Sequence, residues 1–286
     1  MTITGDITTA GSGSVAITGG SGLIQLNSGA LQTIGGGGGT GTITFTGGAV
    51  TALGTTVAVS RNLVMSSGAM TVNGTFQVNQ GGGATGTSFV YGAGGTLIFN
   101  TTSSFSVGST TFWPTSNGPP NVNVLGAGGI TLTATRTVSG LFQTSATVTR
   151  GDRLTLNGTT QRNPGGSFAD TPVYGPASTL VYNGAFTVGP EWTTGTIVST
   201  GVPLNVTIQA GAGTVTESAT NHTVPGNLLI SSGTFALSAS TGNLFVGGNW
   251  TDNGTFTANG RIVTPQRHRH ADHRPDRRRG PSRSWP

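Results

Sequence analysis

Few side chains in this sequence are of the types that carry out acid–base chemistry. Residues 1–260 contain one histidine, His222, and six acidic residues, at positions 6, 152, 170, 191, 217 and 252. General acid–base or nucleophilic catalysis needs carboxylates that converge, or a histidine beside a nucleophile. The six acids are scattered along the chain. The sequence therefore predicts no enzyme and no catalytic residues.

A local group of charges is formed by Arg150, Asp152 and Arg153, which fill three of four consecutive positions. Charges this close along a chain indicate a local ion pair at a turn, and we expect one here. The alternative is a contact to a bound sugar.

Cofactor and metal sites lack their sequence signatures. The chain has no cysteine, and its 13 basic residues are all arginine, so the lysine of a P-loop is missing. Gly92-Ala93-Gly94-Gly95 resembles part of a dinucleotide-binding loop, but no strand–helix–strand pattern surrounds it. The glycines at 35–39 are not followed by the aspartate of calcium-binding repeats. We therefore expect no cofactor and no metal, and no residue is assigned to either.

The basic residues are concentrated at the end of the chain. Residues 1–260 hold five arginines and six acids, a net charge of −1, whereas residues 261–286 hold eight arginines and two aspartates, a net charge of +6. A nearly neutral body does not predict a nucleic-acid partner. The abrupt change to Arg, His and Pro at Arg261 predicts a basic tail at 261–286, either disordered or read out of frame.

The composition predicts an ordered all-β chain. Glycine supplies 50 of the 286 residues, charged residues supply 7% and apolar residues 34%. Disordered chains usually combine high net charge with few β-branched residues, but this chain is rich in Val, Ile and Thr, which favour strands. No apolar run approaches the ~20 residues of a membrane helix, so we expect no membrane-spanning segment.

A long internal repeat organises the chain. The sequence at 70–100 returns at 154–183 with one gap, and the match continues downstream. The offset is 84 residues at the first asparagine and 83 at the tyrosine. A fixed long period indicates a repeating architecture. The matched residues include Asn73 and Asn157, Tyr91 and Tyr174, and Trp113 and Trp192.

The repeat divides the chain into five parts. The Asn-Gly-Thr-Phe motif of the first unit returns at 253–256, which indicates that a third unit begins shortly before it. The predicted parts are a Gly/Thr-rich start at 1–60, unit 1 at 61–150, unit 2 at 151–228, a truncated unit 3 at 229–260, and the basic tail at 261–286.

A unit of about 84 residues divides into four pieces of about 21, the size of one coil of a β-solenoid. Each strand of a solenoid pairs in parallel with the strand one coil further along, and glycine and asparagine suit the corners. The sequence therefore predicts a repetitive parallel β-helix, or solenoid, with Asn73 and Asn157 four coils and roughly 19 Å apart. The alternative is a tandem array of antiparallel β-sandwiches, because Asn-Gly pairs also favour hairpins.

Short β-branched segments between the glycines predict the strands of the two units. Glycine or proline interrupts nearly every window that is long enough for a helix. The predicted strands include Ser88–Tyr91, Thr96–Asn100, Asn121–Leu125, Ile130–Thr135, Ala146–Thr149, Arg153–Leu156, Thr179–Tyr182, Leu204–Ile208, Gly213–Glu217 and Leu228–Ser231.

Two stretches resemble a known group of proteins. The pattern Gly-Asn-Leu … Ser-Ser-Gly-Thr-Phe … Val-Gly-Gly-Asn-Trp-Thr-Asp-Asn-Gly-Thr-Phe at 226–256 is similar to the β-strand-repeat proteins of bacterial cell surfaces. So is Val-Gly-Pro-Glu-Trp at 188–192, followed by Pro-Leu-Asn-Val-Thr-Ile at 203–208. These are adhesin-like, exported repeat proteins of the Bacteroidetes type. The resemblance covers about 61–260 and concerns structural motifs, so it assigns no functional residue.

The resemblance implies a non-enzymatic structural or adhesive role outside the cell or on its surface. The expected partners are extracellular glycans or other surface proteins. Two alternatives stay open, a carbohydrate-active β-helix of the polysaccharide lyase or hydrolase kind and an ice-binding solenoid. The Thr-x-Thr strings that ice binding would use are irregularly spaced.

Trp113 and Trp192 occupy equivalent positions of the two units. We expect them to be packing residues in equivalent coils, and the alternative is that they are exposed platforms for carbohydrate.

Overall fold

The computed structural model describes residues 2–3, 6–8, 15–20, 24–26, 31–36, 43–47, 50–52, 56–66, 69–108 and 110–265. Within these ranges the chain forms 33 strands and one 3₁₀ helix, Gly151–Arg153. None of the described residues belongs to a helix that has the length and hydropathy to span a bilayer. The structure is all-β, as the composition predicts.

The strands are short, and most contain two to six residues. The first ten are β1 (Thr2–Ile3), β2 (Ile7–Thr8), β3 (Val15–Gly20), β4 (Ile24–Leu26), β5 (Leu31–Gly36), β6 (Ile43–Gly47), β7 (Val50–Ala52), β8 (Thr56–Val59), β9 (Asn62–Met65) and β10 (Met70–Val72). The next ten are β11 (Thr75–Asn79), β12 (Gly83–Gly86), β13 (Val90–Tyr91), β14 (Thr96–Asn100), β15 (Phe105–Val107), β16 (Asn121–Val124), β17 (Ile130–Leu132), β18 (Arg136–Val138), β19 (Leu141–Thr144) and β20 (Thr147–Thr149). The last are β21 (Leu154–Leu156), β22 (Thr159–Arg162), β23 (Ser167–Phe168), β24 (Val173–Tyr174), β25 (Thr179–Tyr182), β26 (Phe186–Thr187), β27 (Asn205–Thr216), β28 (His222–Val224), β29 (Leu228–Ala236), β30 (Leu244–Val246), β31 (Trp250–Asp252), β32 (Thr255–Thr257) and β33 (Val263–Pro265).

One long parallel sheet runs through the described part of the chain. Its order is β2-β5-β8-β11-β14-β16-β19-β22-β25-β27-β29-β31, so each strand pairs with a strand one coil earlier and one coil later. Strand β5 pairs with β8, and β8 pairs with β11 of unit 1, all in parallel. Described parts of the Gly/Thr-rich start therefore lie in the same sheet as the two units. Shorter parallel sheets form the other walls of the coils.

The register of this sheet confirms the four-coil repeat. Phe76 pairs with Leu97, Leu97 with Val122, Val122 with Phe142, and Phe142 with Thr160. Four steps thus lead from Phe76 to Thr160, the same offset that separates Asn73 from Asn157. The fold is a parallel solenoid whose coils average about 21 residues, a length that is typical of solenoid repeats. The antiparallel sandwich alternative is wrong.

Two predicted strands are joined in the structure. Leu204–Ile208 and Gly213–Glu217 were expected to be separate, but both lie largely within the 12-residue strand β27. The pairing of β27 with β29 shifts register between Ile208 and Thr214, and Gly211 has a φ of 62°. The sequence predicts a break between the two segments. The structure instead has a bulge there, which bends the strand without ending it.

The core is filled by alternate residues of the long sheet. Val78, Phe99 and Val124 stack on one inner line and are buried, whereas Gln77 and Ile98 point outward. The buried apolar side chains form two clusters, one from Ile34 to Tyr174 and one from Leu180 to Val246. Successive side chains of a strand point to opposite faces, which explains this alternation. A one-residue slip in the pairing would turn every inner side chain outward, so the register is fixed.

The glycine corners of the two units are equivalent. A Cβ on Gly82 would lie 2.1 Å from the carbonyl oxygen of Val59, and a Cβ on Gly166 would lie 2.2 Å from that of Thr144. In each case the clashing carbonyl belongs to the coil below. These corners therefore need glycine because the backbones of successive coils approach too closely for a side chain.

Asparagine ladders stabilise other corners. The Asn205 side-chain oxygen accepts the backbone N–H of Asn227 at 2.8 Å, and the Asn227 side chain accepts the N–H of Asn249 at the same distance. The last described strand, β33, pairs with β30, so the solenoid continues into the first residues of the basic segment. Residues 266–286 of the predicted tail lie outside the described residues.

Candidate functional site

A groove on the outside of the solenoid, lined by residues of unit 2 and of unit 3, is the candidate site. It begins with a coil that is longer than the average of about 21 residues and connects Leu180 of β25 to its partner Val206 of β27. The extra residues form a loop at 193–202. The Thr193 N–H donates to the Gly201 carbonyl at 2.8 Å and closes the base of this loop. Gly201 has a φ of 69°, and a Cβ there would lie 2.0 Å from the Thr193 hydroxyl oxygen, so this turn requires glycine.

The returning half of the loop is fixed to the coil below. The Gly201 N–H donates to the Pro172 carbonyl at 2.8 Å, and the Tyr174 N–H donates to the Ser199 carbonyl at 3.1 Å. Most of the loop faces solvent, and Ile197 at its tip is 72% exposed. These hydrogen bonds hold the loop in place, so it forms a fixed wall of the groove.

This wall overhangs two neighbouring strands and encloses a groove of about 730 Å³. Thr223 of β28 and Phe245 of β30 lie on adjacent strands and form the floor, while Thr194 and Thr196 of the loop form one side. Ligand pockets usually occupy roughly 300–1,000 Å³. The groove therefore has the volume of a binding site.

The lining of the groove is neutral. It consists of threonine, glycine, alanine, asparagine, proline and phenylalanine, with no charged side chain. Phe245 is 37% exposed, and every other aromatic side chain that the structure describes is less exposed. The groove can therefore offer one aromatic face and several hydroxyl or amide groups, but no acid, base or anion-binding group.

A buried polar cluster lies next to the groove. His222 begins β28, and its Nε2 lies 3.1 Å from the Trp192 carbonyl oxygen and 3.3 Å from the Ser218 hydroxyl. Its Nδ1 lies 3.1 Å from Glu217 Oε1, and both side chains are fully buried. The order of groups, hydroxyl–imidazole–carboxyl, is that of a serine–histidine–acid triad.

The hydrogen-bond pattern opposes triad chemistry. The Trp192 carbonyl can only accept a hydrogen bond, so His222 Nε2 must carry a proton and donate it. A nitrogen that is already protonated cannot remove the hydroxyl proton of Ser218, as a general base would. The cluster therefore holds the loop in place, because Trp192 is the residue directly before it.

Glu217 completes this cluster. Glu217 Oε1 lies close to His222 Nδ1, but the two atoms are not aligned for a hydrogen bond. Within the described ranges, neither the carboxyl oxygens nor Nδ1 has a hydrogen-bond partner. Burial raises the pKa of Glu217, and the nearby His222 partly opposes this rise. A bare carboxylate facing a nitrogen lone pair would be repulsive, so we infer that the pair shares one proton.

A second buried cluster joins Arg162 and Glu191. The Arg162 guanidinium contacts Glu191 Oε1, which also accepts hydrogen bonds from the Tyr182 hydroxyl at 2.9 Å and the Gly189 N–H at 3.0 Å. The guanidinium carbon lies 4.3 Å from the centroid of the Phe186 ring. This pair is sealed inside the coil, so its role is in packing rather than in binding from solution.

Burial raises the pKa of Tyr182 well above its ordinary value, and the neighbouring Glu191 raises it further while Arg162 opposes the rise. The same causes raise the pKa of Tyr174. Both phenols therefore stay protonated and serve as donors. Tyr174 donates to the Glu191 carbonyl oxygen at 2.8 Å.

The charged group at 150–153 forms a corner, as expected. Arg150 Nε lies 3.3 Å from Asp152 Oδ1, both side chains are about half exposed, and the 3₁₀ helix begins directly after Arg150. The Arg150 N–H also donates to Asp170 Oδ2 at 2.6 Å. The group makes a local ion pair and does not line the groove.

Trp113 and Trp192 are both fully buried, which confirms that they are packing residues rather than carbohydrate platforms. The exposed aromatic residue is instead Phe245, which the sequence analysis did not single out. The Leu-Phe-Val sequence of β30 could have predicted this exposure, because the middle residue of a half-buried strand points outward.

No group of three or more His, Cys, Asp or Glu residues that could hold a metal occurs in the part of the chain that the structure describes. Comparisons of the chain with protein-family models, with curated proteins and with solved structures gave no match. The geometry of the solenoid and its groove is therefore the basis for a functional proposal.

Proposed function

We propose that this chain is a non-enzymatic structural and adhesive repeat segment of a bacterial protein that is exported or displayed on the cell surface. The observation that carries the proposal is the long sheet, which keeps parallel pairing through twelve successive strands. Eleven steps of about 4.8 Å give a sheet roughly 53 Å long. A continuous, hydrogen-bonded structure of this length is suited to holding binding surfaces away from an anchor.

The outer surface also supports this role. Outward positions of the long sheet hold Gln77, Ile98, Asn123 and Gln143, a mixed and uncharged row. A nearly neutral surface does not attract nucleic acid through phosphate contacts. Neutral polar side chains instead suit contacts with glycans or with the polar surfaces of other proteins.

The absence of turnover is part of the proposal. The arrangement of Ser218, His222 and Glu217 is the closest approach to a catalytic site in the described residues, and Nε2 of its imidazole is committed to the Trp192 carbonyl. The Arg162–Glu191 pair is enclosed in the core. Neither group is arranged to act on a polymer at the surface.

The groove makes a carbohydrate-active solenoid the second candidate, since it places a ligand-sized cleft beside Ser218. An ice-binding role is less well supported, because the outward row at Gln77, Ile98 and Asn123 is not a regular threonine array.

Two measurements on the purified chain test the proposal. Small-angle scattering should give the elongated profile of a rod, and immobilised glycans or surface proteins should retain the chain without releasing soluble products. A compact profile would contradict the structural role. Release of oligosaccharides from a polysaccharide panel would instead support the carbohydrate-active alternative.

A further inference from the structure

The groove beside the loop has one feature that is unusual on this solenoid, an aromatic ring at an outward position. Phe245 pairs with Thr223 on one side and with Thr264 on the other, so its ring stands between two threonines on the same face. The corresponding strand one repeat earlier, β21 of unit 2, has Thr155 at the outward position. Among these described strands, an aromatic ring is thus present only where the loop overhangs the face.

The hydrogen-bonding groups around this ring are available to a ligand. The hydroxyls of Thr194, Thr196 and Thr223 make no hydrogen bond to any residue that the structure describes. Asn221 uses its side-chain oxygen to accept the Asn243 N–H at 2.9 Å, which leaves its NH₂ group for other partners. The groove therefore presents both donors and acceptors around an apolar platform.

The wall and the floor of the groove are held together before any ligand binds. Trp192 Nε1 donates to the Thr223 carbonyl at 3.1 Å, so the start of the loop is tied to the strand that forms the floor. The His222 ring donates to the Trp192 carbonyl at 3.1 Å and adds a second tie. A preformed site of this kind loses little conformational entropy on binding.

We propose that this groove is the glycan-binding site of the chain and that its ligand is a neutral oligosaccharide. A pyranose ring has an apolar C–H face, which would stack on Phe245, and a rim of hydroxyls, which would bond to the threonines and to Asn221. The uncharged lining has no arginine to pair with a uronate or a sulfated sugar. This inference rests on the adhesive role proposed above.

The experiment is calorimetric titration of the full chain with short xylo-, cello-, malto-, laminari- and chito-oligosaccharides, with oligogalacturonate as the charged comparison. At least one neutral series should bind, and oligogalacturonate should not. Phe245→Ala should weaken the binding at least about tenfold, as expected for loss of a central aromatic anchor. Phe245→Tyr keeps the ring and should retain binding.

Leu125→Ala is the matched control, because Leu125 is 47% exposed but does not line the groove. It should bind as the parent chain does. Thermal melts establish that each variant is folded, which is expected because both side chains are at the surface.

The outcomes separate this inference from the proposed function. If Phe245→Ala binds a neutral glycan as tightly as the parent, the groove is not the site, although the adhesive role stands. Failure of every neutral series to bind, or preference for oligogalacturonate, overturns the inference. Preference for a hydrophobic dye over all saccharides would also overturn it and assign the groove to apolar ligands. Product release would reject the non-enzymatic role, whichever residues bind.

Discussion

Tyr91 and Tyr174 make the same contact four coils apart. Each phenol donates a hydrogen bond to the backbone carbonyl of the residue before a buried tryptophan, Tyr91 to Phe112 and Tyr174 to Glu191. Phe112 and Glu191 are therefore equivalent positions of the two units. The internal repeat preserves the backbone contact while the side chain at that position changes from apolar to acidic.

Arg162, the ion-pair partner of Glu191, also replaces an apolar residue of unit 1. Arg162 lies four steps along the inner line from Val78, so unit 2 has an ion pair where unit 1 has Val78 and Phe112. Removing one member of a buried pair costs about 3–5 kcal/mol, whereas replacing both by apolar residues is often neutral or stabilising. Unit 1 therefore shows which apolar residues, valine and phenylalanine, can replace the ion pair of unit 2.

We predict that Arg162→Val and Glu191→Phe each lower the free energy of unfolding by about 3–5 kcal/mol. The double variant Arg162→Val/Glu191→Phe, which copies unit 1, should recover most of the loss. Urea unfolding of the three variants and the parent measures this. If the losses of the two single variants simply add in the double variant, Arg162 and Glu191 are not coupled.

The pH dependence of stability should report Glu217. Burial raises its pKa above the ordinary value of 4.5, so between the unfolded and folded pKa values the folded chain holds a proton on this carboxyl that the unfolded chain has released. The stability that this proton contributes is complete below the unfolded pKa and is lost as the pH rises through the folded pKa. The contribution of Glu217 to stability should therefore fall as the pH rises above 4.5 toward neutrality.

Glu217→Gln tests this assignment, because an amide cannot ionise and can still donate to His222 Nδ1. The variant should melt above the parent at neutral pH and close to it below pH 4.5. Melting temperatures across this range make the comparison. A variant that is less stable than the parent at neutral pH would show that Glu217 is ionised and paired with a protonated His222.

The stacked corners predict a cost for any side chain at Gly166. A Cβ there would lie 2.2 Å from the Thr144 carbonyl oxygen, so Gly166→Ala must push two coils apart. We expect a loss of about 1–3 kcal/mol in unfolding free energy, typical of overpacking. Gly94→Ala is the control, since the nearest atom to its Cβ would be 3.8 Å away, and it should unfold like the parent.

Stability should not depend on a bound metal. The described residues contain no group of three or more metal-ligand side chains, and the ladders are formed by backbone and asparagine hydrogen bonds. The melting temperature should be the same with and without EDTA. A drop on chelation that calcium or zinc reverses would reveal a metal site.

The sequence by itself determined the repeat and predicted the coil and its register. The regular offset between Asn73 and Asn157 divides into four coils, and the alternation of Val78 with its neighbours fixes which side chains face inward. These features are periodic, so the same residue types recur at each coil and specify the same local pairing. The sequence left parallel coils and antiparallel sandwiches open, and the observed pairing of the long sheet decided for parallel coils.

Only the tertiary structure decided where the polar side chains meet. Arg162 reaches Glu191 across 29 residues, and the loop at 193–202 overhangs Phe245 two coils later. Neither contact recurs from unit to unit. Each is made by a side chain or a loop that differs from its counterpart in the repeat, so the repeat pattern does not predict it. The direction of such a loop depends on what its base is bonded to, here Pro172 and Tyr174, and those bonds exist only after the coils have stacked.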